Sequence, residues 1–469
     1  MKSTDTDAVN GSRGRCSATQ GDGILLLDEI LLNGYNWQQI TAANLTRSGT
    51  TATLNLTSHG FRDAYQRLWV TNGDTQDPIY SDTVYATVVT ANQITYTVTN
   101  TGATTGAASG STTANGAISS TTVTSITVTS AASFPASGYY AIKIDTEWML
   151  VTSGQGTVNW TVQRGFGNST AATHSNGATV TQVILIGVAP AGGSTPWTKP
   201  YTATNKATYR MAAGNQRYMY IDDTIDGANG RSFAVRGFET QTSLAVGSNP
   251  FPNLQSNATA GNFVKNNTAS NATARPWWAF VSDRMIYLQS DCANSGFSAS
   301  LTRGGCLIFG DLINLSKSGD TYATVLCTST AGDITGATAT MYLNSISNNT
   351  INGICRPSFL IGKGFGNQQS RYAFDFRTQL GQTAGLLTFP HPPDGGFYLS
   401  QVGHFEQSGS IFRGLYPGLW YSCHVTSAGN HGDIFQGTGN LLGKTFMLFY
   451  TAPSGVAMFF EVSQTVTTT

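Results

Sequence analysis

The sequence predicts an all-β protein of several domains: two small β modules, a larger β-sandwich-like body and one short N-terminal helix. Three observations predict it. Charged residues are only 11 % of the 469-residue chain, against roughly 25 % in an ordinary soluble domain, and Gly, Ser, Thr and Asn fill the gap. Runs rich in Thr, Val and Tyr alternate at the two-residue period of a half-buried strand. Gly and Pro punctuate those runs at turn spacing. The same composition excludes whole classes of function. Lys plus Arg number 25 and Asp plus Glu number 25, so there is no net field to hold nucleic-acid phosphates. With 40 % hydrophobic and 11 % aromatic residues, the chain is no highly charged disordered polymer. A long coiled coil would need Glu, Lys and Leu in bulk. No run of about 18 apolar residues is present, so no transmembrane helix and no membrane insertion are expected.

The elements follow in order. Residues 1–41 read as an N-terminal arm and helix. The arm, 1–20, is polar and aperiodic, ordered against a neighbour or not at all. It has no apolar core after Lys2, so it does not read as a secretory signal, and synthesis in a cytoplasm is expected. The helix is predicted over 22–34, with Asp22 as cap and Gly34 as stop. Ile24, Leu27, Ile30 and Leu31 share one face at helical spacing, and Leu25, Leu26 and Leu32 widen it. That face is buried within the chain or, in the sharper reading, against a second subunit, which makes Leu27, Ile30 and Leu31 interface candidates. Residues 42–105 read as a small β module, with alternation at 51–57, 68–71, 81–90 and 93–99. Residues 101–118 have a linker composition of Thr, Gly, Ala and Ser. A second small β module covers 119–186, with strands at 125–130, 139–144, 147–152, 159–163 and 178–185 and hairpin bends at Gly154–Gly156 and Gly165–Gly167. The main β body covers 187–469 and carries most of the aromatic residues. No solenoid-type repeat is present.

Six cysteines (Cys16, Cys292, Cys306, Cys327, Cys355, Cys423) are scattered with no C-x-x-C pair. They read as buried thiols rather than a zinc or redox motif. Disulfides formed after cell lysis stay open for the four between 292 and 355.

Several segments of the body form a recognisable set. They are Trp197-Thr-Lys-Pro-Tyr201 with its continuation to Arg210, Tyr218-Met-Tyr-Ile-Asp-Asp223, Val235-Arg-Gly-Phe-Glu-Thr240, Ala274-Arg-Pro-Trp-Trp278, Leu415-Tyr-Pro-Gly-Leu-Trp420 and Leu442-Gly-Lys-Thr-Phe446. Together with the helix at 26–34, they resemble an uncharacterised family of tailed-bacteriophage virion structural proteins. Residues 119–186 resemble a small β module that recurs in phage structural genes, through Ile142-Lys-Ile-Asp-Thr-Glu147, Trp160-Thr-Val-Gln-Arg-Gly165 and Ala171-Ala-Thr-His174. Residues 45–105 resemble another such insert, through Thr57-Ser-His-Gly-Phe61 and Tyr80. The resemblance implies a virion protein carrying two inserted modules, and it brings no assigned chemistry.

Three groups of residues are candidates for a site. His424, His431 and Asp433 are close enough in sequence to hold a transition metal, but a polar loop with satisfied contacts is the commoner reading. Asp222, Asp223 and Asp226 form the tightest acidic cluster. They supply oxygen ligands suited to Ca²⁺, yet lack the Gly and Glu positions of a helix-loop-helix calcium site. Trp277 and Trp278 are adjacent, so on a strand they face opposite sides. One is expected in the core, and the other is a candidate for a subunit interface or glycan stacking. No nucleophile elbow, phosphate loop or metalloprotease helix occurs, so no catalytic residue, cofactor or enzyme activity is assigned.

These readings converge on a non-enzymatic structural protein of a tailed-phage virion, in the tail or baseplate region. Capsid-exterior decoration is the runner-up, and a host-glycan adhesin or tail spike is a further alternative. The expected partners are other virion proteins and further copies of the chain in a homo-oligomer, with host glycan in the alternative. The expected location is the virion.

Overall fold

The computed structural model describes residues 2–3, 20–41, 44–59, 61, 67–71, 83–97, 110–188, 197–224, 231–250, 262–266, 277–291, 304–313, 323–328, 339–344, 356–360, 372–375, 398–406, 411–424, 434–451 and 456–461. The chain is all-β with one short helical segment near its start. It divides into two units: one mainly residues 28–195, the other residues 14–27 with 196–469, and short N-terminal pieces belong to each.

The first unit is organised by one strand, Thr179–Val188. Its sequence, Thr-Val-Thr-Gln-Val-Ile-Leu-Ile-Gly-Val, is β-branched and becomes continuously apolar after Gln182, which suits a strand covered on both faces. Its first half pairs antiparallel with Tyr140–Ile144 and with Ser111–Thr113. Its second half pairs with Tyr35–Ile40 and with Arg67–Val70. Both predicted small modules therefore share a single twelve-stranded sheet. One wing runs from Arg67–Val70 through Thr83–Thr90, Gln93–Thr97 and Thr51–Asn55 to Leu45–Ser48. The other runs from Tyr140–Ile144 through Glu147–Ser153 and Asn159–Gln163 to Ser125–Thr127.

Alternation along those strands sorts the side chains into two cores. Tyr140, Ile142, Ile144, Met149, Val151, Trp160, Val162 and Val180 fill one. Ala141, Leu150, Val183 and Leu185 face the other, where Trp37, Trp69 and Phe166 cover them. Trp37 lies so close to the central strand that a Cβ on Gly187 would sit 2.4 Å from its indole. Two sequence expectations are corrected here. The linker composition extends to 118, but Ser111–Thr113 is a strand and Ile118 is buried at 4 % exposure. The arm-and-helix reading extends to 41, yet residues 35–40 are a strand of the sheet.

The predicted helix forms as an α-helix, Asp22–Asp28, followed by a π-helical turn, Glu29–Asn33. Gly34 ends it with φ 68°, and its N–H reaches back five residues to the Glu29 carbonyl at 2.8 Å, which winds the last turn wider than an α-turn. Trp37 Nε1 donates to the Asn33 carbonyl at 2.8 Å and so satisfies one of the orphan acceptors of a helix end. Leu26, Leu27, Ile30 and Leu31 are fully buried within the single chain, and Leu25 is exposed.

The second unit has a six-stranded sheet that runs from Lys2–Ser3 through Trp277–Val281, Met285–Asp291, Gly304–Asp311 and Ala323–Thr328 to Ala339–Asn344. A five-stranded sheet holds Thr198–Ala203, Lys206–Arg210, Tyr218–Asp222, Arg231–Phe238 and Asn262–Asn266. Thr240–Ser243 and Val246–Ser248 make a two-stranded sheet. An eight-stranded sheet includes Tyr398–Glu406, Trp420–His424, Thr445–Thr451 and Val456–Glu461. Aromatic rings fill its core. Tyr287 stands edge-on to Trp420 at 5.4 Å, Phe460 lies 4.8 Å from Trp420, and the Tyr287 hydroxyl donates to the Pro417 carbonyl at 2.9 Å. Among the described residues, no helix is long and apolar enough to cross a membrane.

Candidate functional site

The densest polar constellation in the described residues lies in the first unit, around Glu147. This residue opens the strand Glu147–Ser153 and is 0 % exposed. The hairpin register sets Leu150 opposite Gln163, which brings Arg164, just past the end of its strand, within reach. Arg164 Nε donates to Glu147 Oε1 at 2.7 Å and Nη2 to Oε2 at 2.8 Å, a bidentate fork. The amides of Gly165 and Ala172 donate to Oε1 and Oε2 at 2.9 and 3.0 Å. His174 Nε2 lies 2.8 Å from Oε2, and its Nδ1 lies 2.8 Å from Oδ2 of Asp145, whose side chain is 65 % exposed. Arg164 uses its remaining donors on the carbonyls of Ser120, Val123 and Ala172. Burial alone would raise the Glu147 carboxyl. The Arg164 guanidinium, the Ala172 amide, the His174 ring and the Gly165 amide outweigh it and hold the carboxyl down at about 2.

Five donors converge on the two oxygens of Glu147, which fills the roughly four lone-pair directions a carboxylate has. Nothing is left over to accept a substrate proton or a metal. The network is a fastening, and its chemistry is directed inward.

Other charged groups are used in the same way. In the second unit Arg217 Nη1 pairs with Glu239 at 3.0 Å, and its Nε lies 3.8 Å from Asp311. Burial pushes the Asp311 carboxyl up, against the Asn215 amide that donates to it at 2.8 Å. Lys444 bonds both Glu461 and the Tyr421 hydroxyl, at 3.0 and 3.1 Å, and that hydroxyl donates to Glu461 at 2.9 Å.

The structure separates the acidic cluster predicted from sequence. Asp222 takes Lys206 Nζ at 2.8 Å, the Tyr220 hydroxyl at 3.1 Å and the Thr224 amide at 3.0 Å. Burial would raise its carboxyl, but the Lys206 bond and the Thr224 bonds lower it overall. Asp223, just past the end of the strand, takes different partners. Its Oδ2 accepts the amides of Gly21 and Gly23 at 2.8 and 3.0 Å. It thus receives N–H groups at the start of the helix, from a turn far away in sequence. Asp226 lies outside the described residues.

For the histidine cluster, His431 and Asp433 lie outside the described residues, and only the backbone of His424 is described, at the end of a strand. Among the described residues no group of three or more His, Cys, Asp or Glu is arranged to hold a metal. Trp277 is the core member of the tryptophan pair, at 0 % exposure, and nothing is described of the Trp278 side chain. Leu27, Ile30 and Leu31 are likewise buried. Cys306 and Cys327 stand on neighbouring strands, where Cys327 is opposite Leu307, and Cys423 lies on another strand, with nothing described of these three side chains, while Cys16, Cys292 and Cys355 lie outside the described residues.

The three segments that meet at Glu147 stand out in the sequence only one by one. The signal was available: a carboxylate at the start of one hairpin strand, an arginine just past the end of the other, and a histidine shortly after.

No protein-family model matches the chain, and no curated protein does. Among solved structures, the chain is similar to one titled "Phage phi92 endosialidase", with 11 % identity and a TM-score of 0.13. The match covers 92 % of this chain and 53 % of that one, so the chain spans about half its length. That TM-score is too low for a shared fold, and the likeness supports neither a fold nor a function.

Proposed function

We propose that the chain is a non-enzymatic structural protein of a tailed-phage virion, made in the host cytoplasm and assembled into the particle. The proposed position is the tail or baseplate region, where copies contact one another and other virion proteins and display the loops of the small modules. The observation that carries the reading is the Glu147 network. The three segments through which residues 119–186 resemble a phage structural module are the three that meet there, and their charges are used to hold the module together rather than to act on a ligand. The neutral, Thr- and Ser-rich strands agree with a role in polar assembly contacts.

The test is mass spectrometry of purified particles followed by a cryo-EM map. Density for this chain at the tail or its tip is the expected result. Density on the capsid lattice would make it a decoration protein. Absence from particles would overturn the virion reading, and a glycan array would then test the chain as a released adhesin.

A further inference from the structure

Beyond Gln163 the chain leaves the sheet until Thr179, apart from one isolated bridge between His174 and Ile118. Three anchors hold this stretch. At its start the Phe166 ring packs on Trp37 at 4.6 Å and on Trp69 at 5.5 Å. In the middle Ser169 Oγ accepts the Trp148 amide at 2.9 Å. At its end the Ala172 amide and the His174 ring close on Glu147, while His174 and Ile118 exchange backbone bonds at 3.0 and 2.9 Å. Two glycines with left-handed backbone, Gly165 at φ 59° and Gly167 at φ 62°, flank Phe166. They provide turning points that other residues rarely adopt.

We propose that Ser169 to His174 is a strap, latched by Glu147, that opens and closes as one unit while the sheet beneath it stays formed. His174 Nδ1 also meets the exposed Asp145, and the remaining side-chain bonds at the far end of the strap depend on one carboxylate, directly or through Arg164, which also donates to the Ala172 carbonyl. Releasing that carboxylate releases them together. The strap has only its isolated bridge in place of a continuous ladder, so its opening costs less than unfolding the strands. Closed, it presents Thr170 and Thr173 to solvent. Open, it uncovers the start of the strand that carries Glu147 and Trp148.

Hydrogen exchange on the full chain tests this. In the unmodified protein the amides of Ala172, His174 and Ile118 are expected to exchange at one shared rate, at least about tenfold faster than Ile142 and Val151 in the strands. That shared rate is expected to be nearly independent of denaturant. Rates equal to those of the strands, or three unrelated rates, would overturn the strap. In Glu147→Gln the strap amides should accelerate about tenfold or more while keeping one shared rate that denaturant barely changes. Strap amides that keep their rate in a folded variant would show that Glu147 is not the latch. Where that variant does not fold, the unmodified chain alone decides.

Discussion

At Glu147 the folded environment holds the carboxyl at about 2, below its ordinary value of 4.5. The unfolded chain therefore takes up this proton first. The stability that Glu147 contributes is complete above pH 4.5 and is lost as pH falls from there through about 2. His59 behaves alike in a different window. Its Nδ1 accepts the Phe61 amide at 3.0 Å, and burial lowers its value below 6.5 against the opposing pull of the Thr90 and Gln93 carbonyls. Stability is thus lost as pH drops below 6.5, because the unfolded imidazole charges first. Acid unfolding of the first unit should accordingly show two slopes, with His59→Gln flattening the upper one and Glu147→Gln the lower. Urea titrations at successive pH values read both. Glu147→Gln should also cost about 3 kcal/mol near neutral pH, because it leaves Arg164 buried beside a neutral group. Tyr140 gives the opposite sign. Its hydroxyl is buried in the core with no hydrogen-bond partner among the described residues, and burial alone raises its pKa. Tyr140→Phe should leave stability unchanged or raise it by about 1 kcal/mol; a lower melting temperature would show that the hydroxyl has a partner.

Among the elements, a tight constraint lies where Trp37 crosses the central strand Thr179–Val188. Gly187→Ala would drive a methyl group to 2.4 Å from the indole. The expected cost is about 2 kcal/mol, seen as a lower urea midpoint with a change in tryptophan fluorescence; an unchanged midpoint would show that the ring moves aside freely. This contact also shows what the sequence could and could not reveal. The strands 140–144, 147–153 and 159–163 are nearly as predicted, because their alternation and glycine turns are local signals. Gly34 was readable as a helix stop for the same reason. What escaped was non-local. Residues 35–40 have no clean alternation, and they become a strand because Ile184–Val188 offers them an edge. Residues 110–118 look like linker because Ser, Thr, Ala and Gly carry little apolar signal, and the bridge from Ile118 to His174 fixes their place. The acidic pair was visible as a cluster, but not its division. Asp222 answers Lys206 directly opposite it on the neighbouring strand, whereas Asp223 caps a helix that the chain left some 200 residues earlier.

On the scale of the molecule, the sheet of the first unit is complete within residues 28–195. Every strand partner of Thr179–Val188 comes from that range, as do both of its core clusters. A segment with its own core and its own paired strands meets the physical definition of a domain. The excised fragment 28–195 is therefore expected to fold alone, even though the sequence divides it into two modules and a linker. Continuity through one strand makes a further demand. A shared central strand couples the two wings, so the fragment should melt in one cooperative transition rather than two. Fluorescence would report the cluster of Trp37 and Trp69, far-ultraviolet circular dichroism would report the strands, and the two curves should superimpose. If residues 110–188 instead melted separately from 35–97, the coupling through Thr179–Val188 would be weak and the two-module reading would describe the energetics better. If the fragment failed to fold, residues of the other unit would be part of its stability. A single transition would make the sheet one rigid platform. The strap over Glu147 would then be the mobile part of an otherwise fixed module.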